Sequence, residues 1–254
     1  EPQPEPAPAS EPVQEPQPEP APSPEPESSI KPKILALHGG GQSGESFQQQ
    51  QGVQDLMSSL PDYDFDFPTA ESGLWIQDPP GGKDNPTDEE NWADSSINYL
   101  DNYIQENGPY EGIIGYSQGV PMTLLYLAQR SPSMKKIGLY CGYLPTTHNG
   151  LMSVINDYDY SSYAPLLFIG EQDTDFYDMG LEIKGLFNNF VQVIDSDTGH
   201  NLPSSTAPTY NNTIDYYNNL PTSPTYIPGL EPAPEPEPQP EPAPASEPVQ
   251  EPQP

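Results

Sequence analysis

Gly112-Ile113-Ile114-Gly115-Tyr116-Ser117-Gln118-Gly119 runs from a β-rich apolar stretch through a Gly-x-Ser-x-Gly turn, and Val120 to Ala128 continues as an apolar helical segment. The serine stands where strand gives way to helix, so a strained turn there lifts its hydroxyl off the sheet. Side chains at Gly115 or Gly119 would collide across so tight a turn. Pro121 is tolerated because the first helical turn has no internal acceptor for the N–H it lacks. Ordinary Gly and Ser usage can produce the bare pattern by accident; the flanking strand and helix make Ser117 a candidate nucleophile.

Working outward, short β-rich runs alternate with helical patterns on both sides of this junction. Strands are predicted at Lys33 to Leu37, Tyr63 to Phe67, Gly112 to Tyr116, Ile137 to Tyr143, Leu166 to Ile169 and Val191 to Ile194. Helices are predicted at Phe47 to Leu60, Asn91 to Glu106, Gln118 to Arg130, Met179 to Phe187 and Asn211 to Leu220. Such alternation is the pattern of βαβ units, in which crossover helices cover both faces of a mostly parallel sheet. With a serine at a strand-to-helix turn, the predicted architecture is an α/β-hydrolase fold.

Composition sets the limits of that fold. The chain has 254 residues, 37 prolines and a formal net charge of −31. Residues 1–29 and 222–254 alternate Pro with Glu, Gln, Ala and Ser, which can neither build helix nor bury an apolar face, so both read as disordered spacers. Residues 30–221 are long enough for one well-buried core and short for two. Glu1 to Pro18 and Glu237 to Pro254 are identical letter for letter, EPQPEPAPASEPVQEPQP. A spacer duplicated together with its domain leaves such copies, so the expectation is one unit of a longer multidomain chain, held apart by extended polyproline segments. The first residue is Glu1, not Met, which fits a processed product or an excised piece.

A nucleophilic serine needs a base, and there are three histidines to choose from. His200 follows the last predicted strand in Thr198-Gly199-His200-Asn201-Leu202-Pro203, where the order Ser, acid, His requires it. His38 precedes the glycine turn after the first strand and reads as a brace; His148 lies in a polar stretch and reads as an exposed bystander. The acid is sought in Gly170-Glu171-Gln172-Asp173-Thr174-Asp175, after the strand ending at Ile169. Asp173 is the first choice and Asp175 its rival. For the oxyanion, the loop His38-Gly39-Gly40-Gly41-Gln42-Ser43-Gly44 offers the Gly40 N–H, and the residue after the nucleophile offers the Gln118 N–H at the positive end of the following helix. A phosphate cradle is the competing reading of these glycines, but the Gly-Lys-Ser/Thr ending is missing.

Leu37-His38-Gly39, Asn107 through Gly119, and Gly199-His200 with Pro203 together resemble the FSH family of small serine hydrolases, over essentially Lys33 to Leu220. The resemblance implies an α/β-hydrolase with little or no lid, esterase or thioesterase activity on small acyl substrates, and a triad of Ser117, Asp173 and His200. Val120-Pro121 replaces the small residues usual after the turn, and Gly40-Gly41 replaces bulkier apolar ones. The proline-rich flanks lie outside the family pattern.

Other features bound the chemistry further. All seven basic residues fall in the folded region against about 25 acidic ones, which argues against a nucleic-acid partner and suits a cationic one. No run of 18 apolar residues predicts a membrane span. Cys141, alone in an apolar run, reads as a buried strand thiol. Asp195-Ser196-Asp197 and Asp173-Thr174-Asp175 fit no complete calcium loop and read as solvated charge; an acyl-enzyme route on Ser117 requires neither metal nor organic cofactor. Asn211-Asn212-Thr213 is a glycosylation sequon, meaningful in a secreted chain. Acidity and spacers point to a secreted or cell-surface setting, with the cytoplasm, where the resembled family is more often found, as the alternative. The main functional expectation is hydrolysis of a small ester or thioester through an acyl-enzyme. The alternative is a structural or binding module with an idle hydrolase fold.

Overall fold

The computed structural model describes residues 31–79 and 85–228. Most of the two proline-rich flanks therefore lies outside the described residues. A sheet of seven parallel strands forms the centre: β1 Lys33–Leu37, β2 Asp64–Asp66, β3 Gly112–Tyr116, β4 Lys136–Tyr140, β5 Leu166–Gly170, β6 Val191–Asp195 and β7 Thr225–Ile227. Their order across the sheet is β2-β1-β3-β4-β5-β6-β7. The helices are α1 Gly44–Gln48, α2 Gln51–Ser59, α3 Asp94–Asn107, α4 Gly119–Arg130, α5 Asn149–Asp157, α6 Tyr177–Glu182 and α7 Tyr210–Asn218.

Alternation along the strands divides the core. Leu35, Leu37, Ile113, Ile137, Leu139 and Leu167 pack with residues of α3, α4 and α5 on one face. Ile34, Ala36, Ile114, Tyr116, Tyr140 and Phe168 pack with α2 and α7 on the other. Successive strand residues point to opposite faces, so strands sheathed on both sides are apolar throughout. The chain leaves β1 outward to β2 and returns to β3 on the other flank of β1, which makes the β1–β3 boundary a topological switch point. Crevices at the carboxyl ends of strands at such a boundary are where α/β sheets bind ligands. Register pairs Leu37 with Gly115, which sets the loop after β1 beside Ser117.

Several expectations need correction. The helix predicted from Phe47 to Leu60 is two, because Gln50 is extended (φ −65°, ψ 139°) and starts a second helix. The chain is held there by Gly52, where a Cβ would stand 2.4 Å from the Leu202 carbonyl oxygen. The fourth strand stops at Tyr140 rather than Tyr143, since Cys141 takes a left-handed φ of 47°; Cys141 is buried, but beyond the strand end. Helix α5 was not predicted: Asn149 and Gly150 look like turn residues, yet Leu151 and Ile155 bury a helical face. Strand β7 lies inside the stretch assigned to the carboxy-terminal spacer. Pro224 and Pro228 hide the Thr-Tyr-Ile pattern between them, and the edge position tolerates their missing donors.

Candidate active site

Ser117 follows the last residue of β3 with a φ of 52°, a region L-residues avoid, and is held there by its N–H donating to the Tyr140 carbonyl at 3.0 Å. The turn depends on its glycines. A Cβ on Gly115 would lie 2.4 Å from the Gly119 carbonyl oxygen, and one on Gly119 would lie 2.4 Å from that of Leu37. Such backbone strain, of order 1–3 kcal/mol, persists only when the surroundings over-determine it, and it concentrates at functional sites. Ser117 Oγ lies 2.9 Å from His200 Nε2.

His200 comes from the loop after β6. Asp195, at the end of that strand, organises the loop: Oδ1 accepts from Asp197 N–H and the Thr198 hydroxyl, and Oδ2 accepts from both N–H and hydroxyl of Thr209. It is fully buried, so it is not the solvated charge the sequence suggested. Burial alone would push its carboxyl up, but these hydrogen bonds hold it below the usual carboxylate range.

The other face of the imidazole meets Asp173, whose Oδ2 lies 2.6 Å from His200 Nδ1. Asp173 is only 4% exposed, and its Oδ1 accepts from Phe176 N–H at 3.3 Å. A carboxylate facing Nδ1 keeps the proton on that nitrogen and leaves Nε2 an acceptor toward the serine. Asp175 is exposed and makes no hydrogen bond to His200. Phe176 stacks on the imidazole at 4.6 Å between centroids, and Tyr143 stacks on Phe176 at 5.4 Å.

Three consecutive carbonyls of the histidine loop are taken by side chains at the ends of β3 and β4. Tyr116 Oη donates to His200 O at 2.7 Å, and Cys141 Sγ faces Gly199 O at 3.6 Å and Asn201 O at 3.3 Å. Cys141, Asp173 and His200 bring their donor atoms within 4.8 Å of one another, spacing that could suit a metal ion. Burial pushes the Cys141 thiol up to about 12, which suits a hydrogen-bond donor rather than a thiolate ligand.

The loop after β1 supplies backbone donors. Gly39 N–H donates to Gln42 Oε1 and Gly41 N–H to Gly73 O, whereas Gly40 N–H and Gln118 N–H donate to no protein group among the described residues. Both residues border the same cleft as Ser117. The Gln118 side chain has a further task that sequence did not suggest: Oε1 accepts from Trp75 N–H at 2.8 Å and Nε2 donates to Ile76 O at 2.9 Å. It thereby fixes a wall of the cleft against the nucleophile turn. His38 is fully buried, and burial lowers its imidazole pKa. Its Nε2 accepts from Ala70 N–H, so Nδ1 carries the proton and donates to Gly39 O at 2.7 Å. The bracing reading holds.

His148 is a correction. It is 4% exposed rather than a surface bystander, and its Nε2 lies 2.8 Å from Gln77 O, with Thr147 Oγ1 3.1 Å from Nδ1. It borders a cleft of about 760 Å³ that opens at Ser117 between the 74–78 wall and the 143–148 segment. No local pattern announces that burial, because the residues covering His148 come from distant parts of the chain.

Known proteins resemble this chain in sequence and in fold. "Family of serine hydrolases 2" of Saccharomyces cerevisiae is 30% identical over 148 residues, 49% of this chain and 57% of that one. "Esterase alnB" of Emericella nidulans is 36% identical over 110 residues, 39% of this chain and 37% of its own length. The chain thus spans about half or less of the length of these curated relatives. A carboxylesterase from Mesorhizobium loti shares the fold with a TM-score of 0.56, at 12% identity over 75% of this chain and 90% of that one. Esterase PE8 does so with a TM-score of 0.56, at 18% identity over 75% and 93%. The model of the FSH1 serine hydrolases matches residues 28–211, and the chain belongs to that family.

Proposed function

We propose that this serine hydrolase cleaves a carboxylic ester or thioester of a small acyl substrate through an acyl-enzyme on Ser117. The observation that carries the reading is the continuous relay from Ser117 Oγ to His200 Nε2 at 2.9 Å and from His200 Nδ1 to Asp173 at 2.6 Å, opening on the cleft. In this reading His200 accepts the Ser117 proton as Oγ attacks the carbonyl, and Asp173 orients the imidazole and stabilises its charge. The carbonyl oxygen becomes an oxyanion, for which the unspent Gly40 and Gln118 N–H groups are the donors. His200 then gives its proton to the leaving oxygen or sulfur. A water that passes its proton to the same nitrogen attacks the acyl carbon, the bond to Oγ breaks, and His200 returns the proton to Ser117, so side chains, backbone and water account for every step. The test is a panel of p-nitrophenyl esters and thioesters of graded acyl length, together with mass-spectrometric mapping of a fluorophosphonate adduct. The adduct is expected on Ser117; turnover with the label elsewhere would overturn the assignment.

A further inference from the structure

The cleft is charged on one side of the balance only. Asp78 and Asp175 border it, both exposed and neither making a side-chain hydrogen bond among the described residues. No lysine or arginine borders it among those residues. Beside the two carboxylates stand Tyr143 and Phe176, whose rings stack on each other at 5.4 Å, with Leu74 and Met179 as apolar walls. Asp78 is close to Tyr143: burial pushes that phenol up to about 12, and the Asp78 charge acts in the same direction.

Among the described residues, the absence of cations from the cleft follows from the topology. Six of the seven basic residues are described, and all six lie toward the amino-terminal edge of the parallel sheet, opposite the nucleophile. Lys33 and Lys136 begin β1 and β4, with Lys31 and Lys135 just before them. Lys33 pairs with Asp66 and also reaches Asn107 O, while Lys31 reaches Pro61 O. Arg130 ends α4, which runs back from the nucleophile turn, and pairs there with Asp101 at 2.8 Å. Lys184 sits before β6, over the Tyr226 ring of β7. The seventh, Lys83, adjoins Asp84 in residues 80–84, so that short stretch carries one charge of each sign. A cleft lined by one sign of charge with low-dielectric walls focuses the field on what enters it.

We propose that the cleft selects esters by charge, favouring a substrate that carries an ammonium group and rejecting anionic ones. Asp78 and Asp175 would supply the attraction, and the Tyr143 ring, which borders the cleft beside Asp78, would hold the cation. This rests on the reading of the cleft as the place where the ester binds. Aromatic faces beside carboxylates attract a cation through the ring quadrupole as well as through net charge. The same field opposes a polyanionic leaving group such as a nucleotide-bearing thiol, which narrows the substrate class to neutral and cationic esters.

The test compares three esters of one acyl group: a choline ester, its uncharged 3,3-dimethylbutyl isostere and an anionic 2-sulfoethyl ester. At low ionic strength kcat/KM is expected to be at least about tenfold higher for the choline than for the sulfoethyl ester. Added salt should lower the first, raise the second and leave the neutral ester flat. In the Asp78→Asn/Asp175→Asn double variant the choline-to-sulfoethyl ratio should contract to within about threefold. Equal rates for the three esters, or a ratio that survives the double variant, would overturn the proposal. Calorimetric binding of choline against 3,3-dimethylbutanol and 2-hydroxyethanesulfonate separates charge selection from catalysis. Choline binding with no ester turned over would sustain the charge preference and overturn the hydrolase reading. Turnover of the neutral ester without any charge preference would do the reverse.

Discussion

Tyr116 reaches across the site and donates from Oη to the carbonyl oxygen of His200 at 2.7 Å, one position before Ser117 and 84 residues from its partner. Its ring is packed parallel to Phe47 at 5.3 Å, so the hydroxyl is aimed by the core rather than by the loop it holds. The residue before Ser117 therefore registers the His200 loop against Ser117. Such a hydrogen bond contributes about 0.5–1.5 kcal/mol net. Tyr116→Phe keeps the packing and is expected to lower kcat about three- to tenfold with KM little changed. A kcat within twofold of wild type in steady-state assays would show that the Cys141 contacts hold the loop unaided.

Ser117→Ala removes one partly exposed hydroxyl from a turn that the backbone sustains. Folding should survive, and ester hydrolysis should fall by about 10³-fold or more. Circular dichroism and p-nitrophenyl ester turnover on the same preparation check both halves. Retained turnover would remove Ser117 from the mechanism.

Asp173→Asn should cost far more than Asp175→Asn on an uncharged ester. Asn at 173 presents an amide to Nδ1 and disturbs the tautomer that makes Nε2 a base, an effect of up to about 10⁴-fold in related geometry. Asp175 touches neither ring nitrogen. A loss at 173 at least about a hundredfold greater than at 175 is expected; the opposite ranking in kcat would move the acid to Asp175.

Why one acid could be ranked first from sequence but not separated from its rival is a matter of a single turn. Gly170 extends β5 by one residue, and Asp173 N–H then closes back on Gly170 O at 3.1 Å, which tucks Asp173 inward and leaves Asp175 outside. The placement of Ser117 and His200 was legible because local context sets it: a serine between two glycines at a strand end, and a histidine after the last long strand. His148, Asp195 and β7 were not. His148 is covered by residues 77 and 92, far away in sequence; the partners of Asp195 are close by, but its Asp-Ser-Asp setting reads as solvated loop, and β7 is a short, mostly exposed edge strand between two prolines. The clamp by Gln118 was equally invisible, because its partners are backbone atoms of residues 75 and 76.

Gln118 should have two separable effects. Its backbone N–H is there whatever its side chain, but the side-chain amide ties Trp75 and Ile76 to the turn at Ser117. Gln118→Ala is expected to raise KM and lower kcat/KM about tenfold, in line with two lost hydrogen bonds of roughly 1 kcal/mol each, partly compensated by water. Gln118→Glu keeps the acceptor for Trp75 N–H and loses the donor to Ile76 O, so it should fall between. An alanine variant kinetically equal to wild type would mean that the wall is held without the clamp.

The last prediction concerns the pH dependence of folding through Asp195. Its carboxyl is held below the usual range in the folded protein, against about 3.9 for an unfolded Asp. A lowered folded pKa means that the unfolded chain takes up the proton first as pH falls. The stabilisation is therefore complete above the unfolded value and is lost as pH drops through the folded one. Asp195→Asn removes the charge, keeps the size and leaves an amide nitrogen facing the N–H and hydroxyl donors of residues 197, 198 and 209. At pH 7 it should destabilise the domain by about 1.5–3 kcal/mol, the range for hydrogen bonds to a charged group. At a pH below about 3.9, the unfolded value, the gap between variant and wild type should shrink, because the unfolded wild-type chain takes up its proton first and the charge then stabilises the folded state less. Urea unfolding at the two pH values measures it. A gap of the same size at both would show that the contribution comes from shape and hydrogen bonding alone, with no part for the charge.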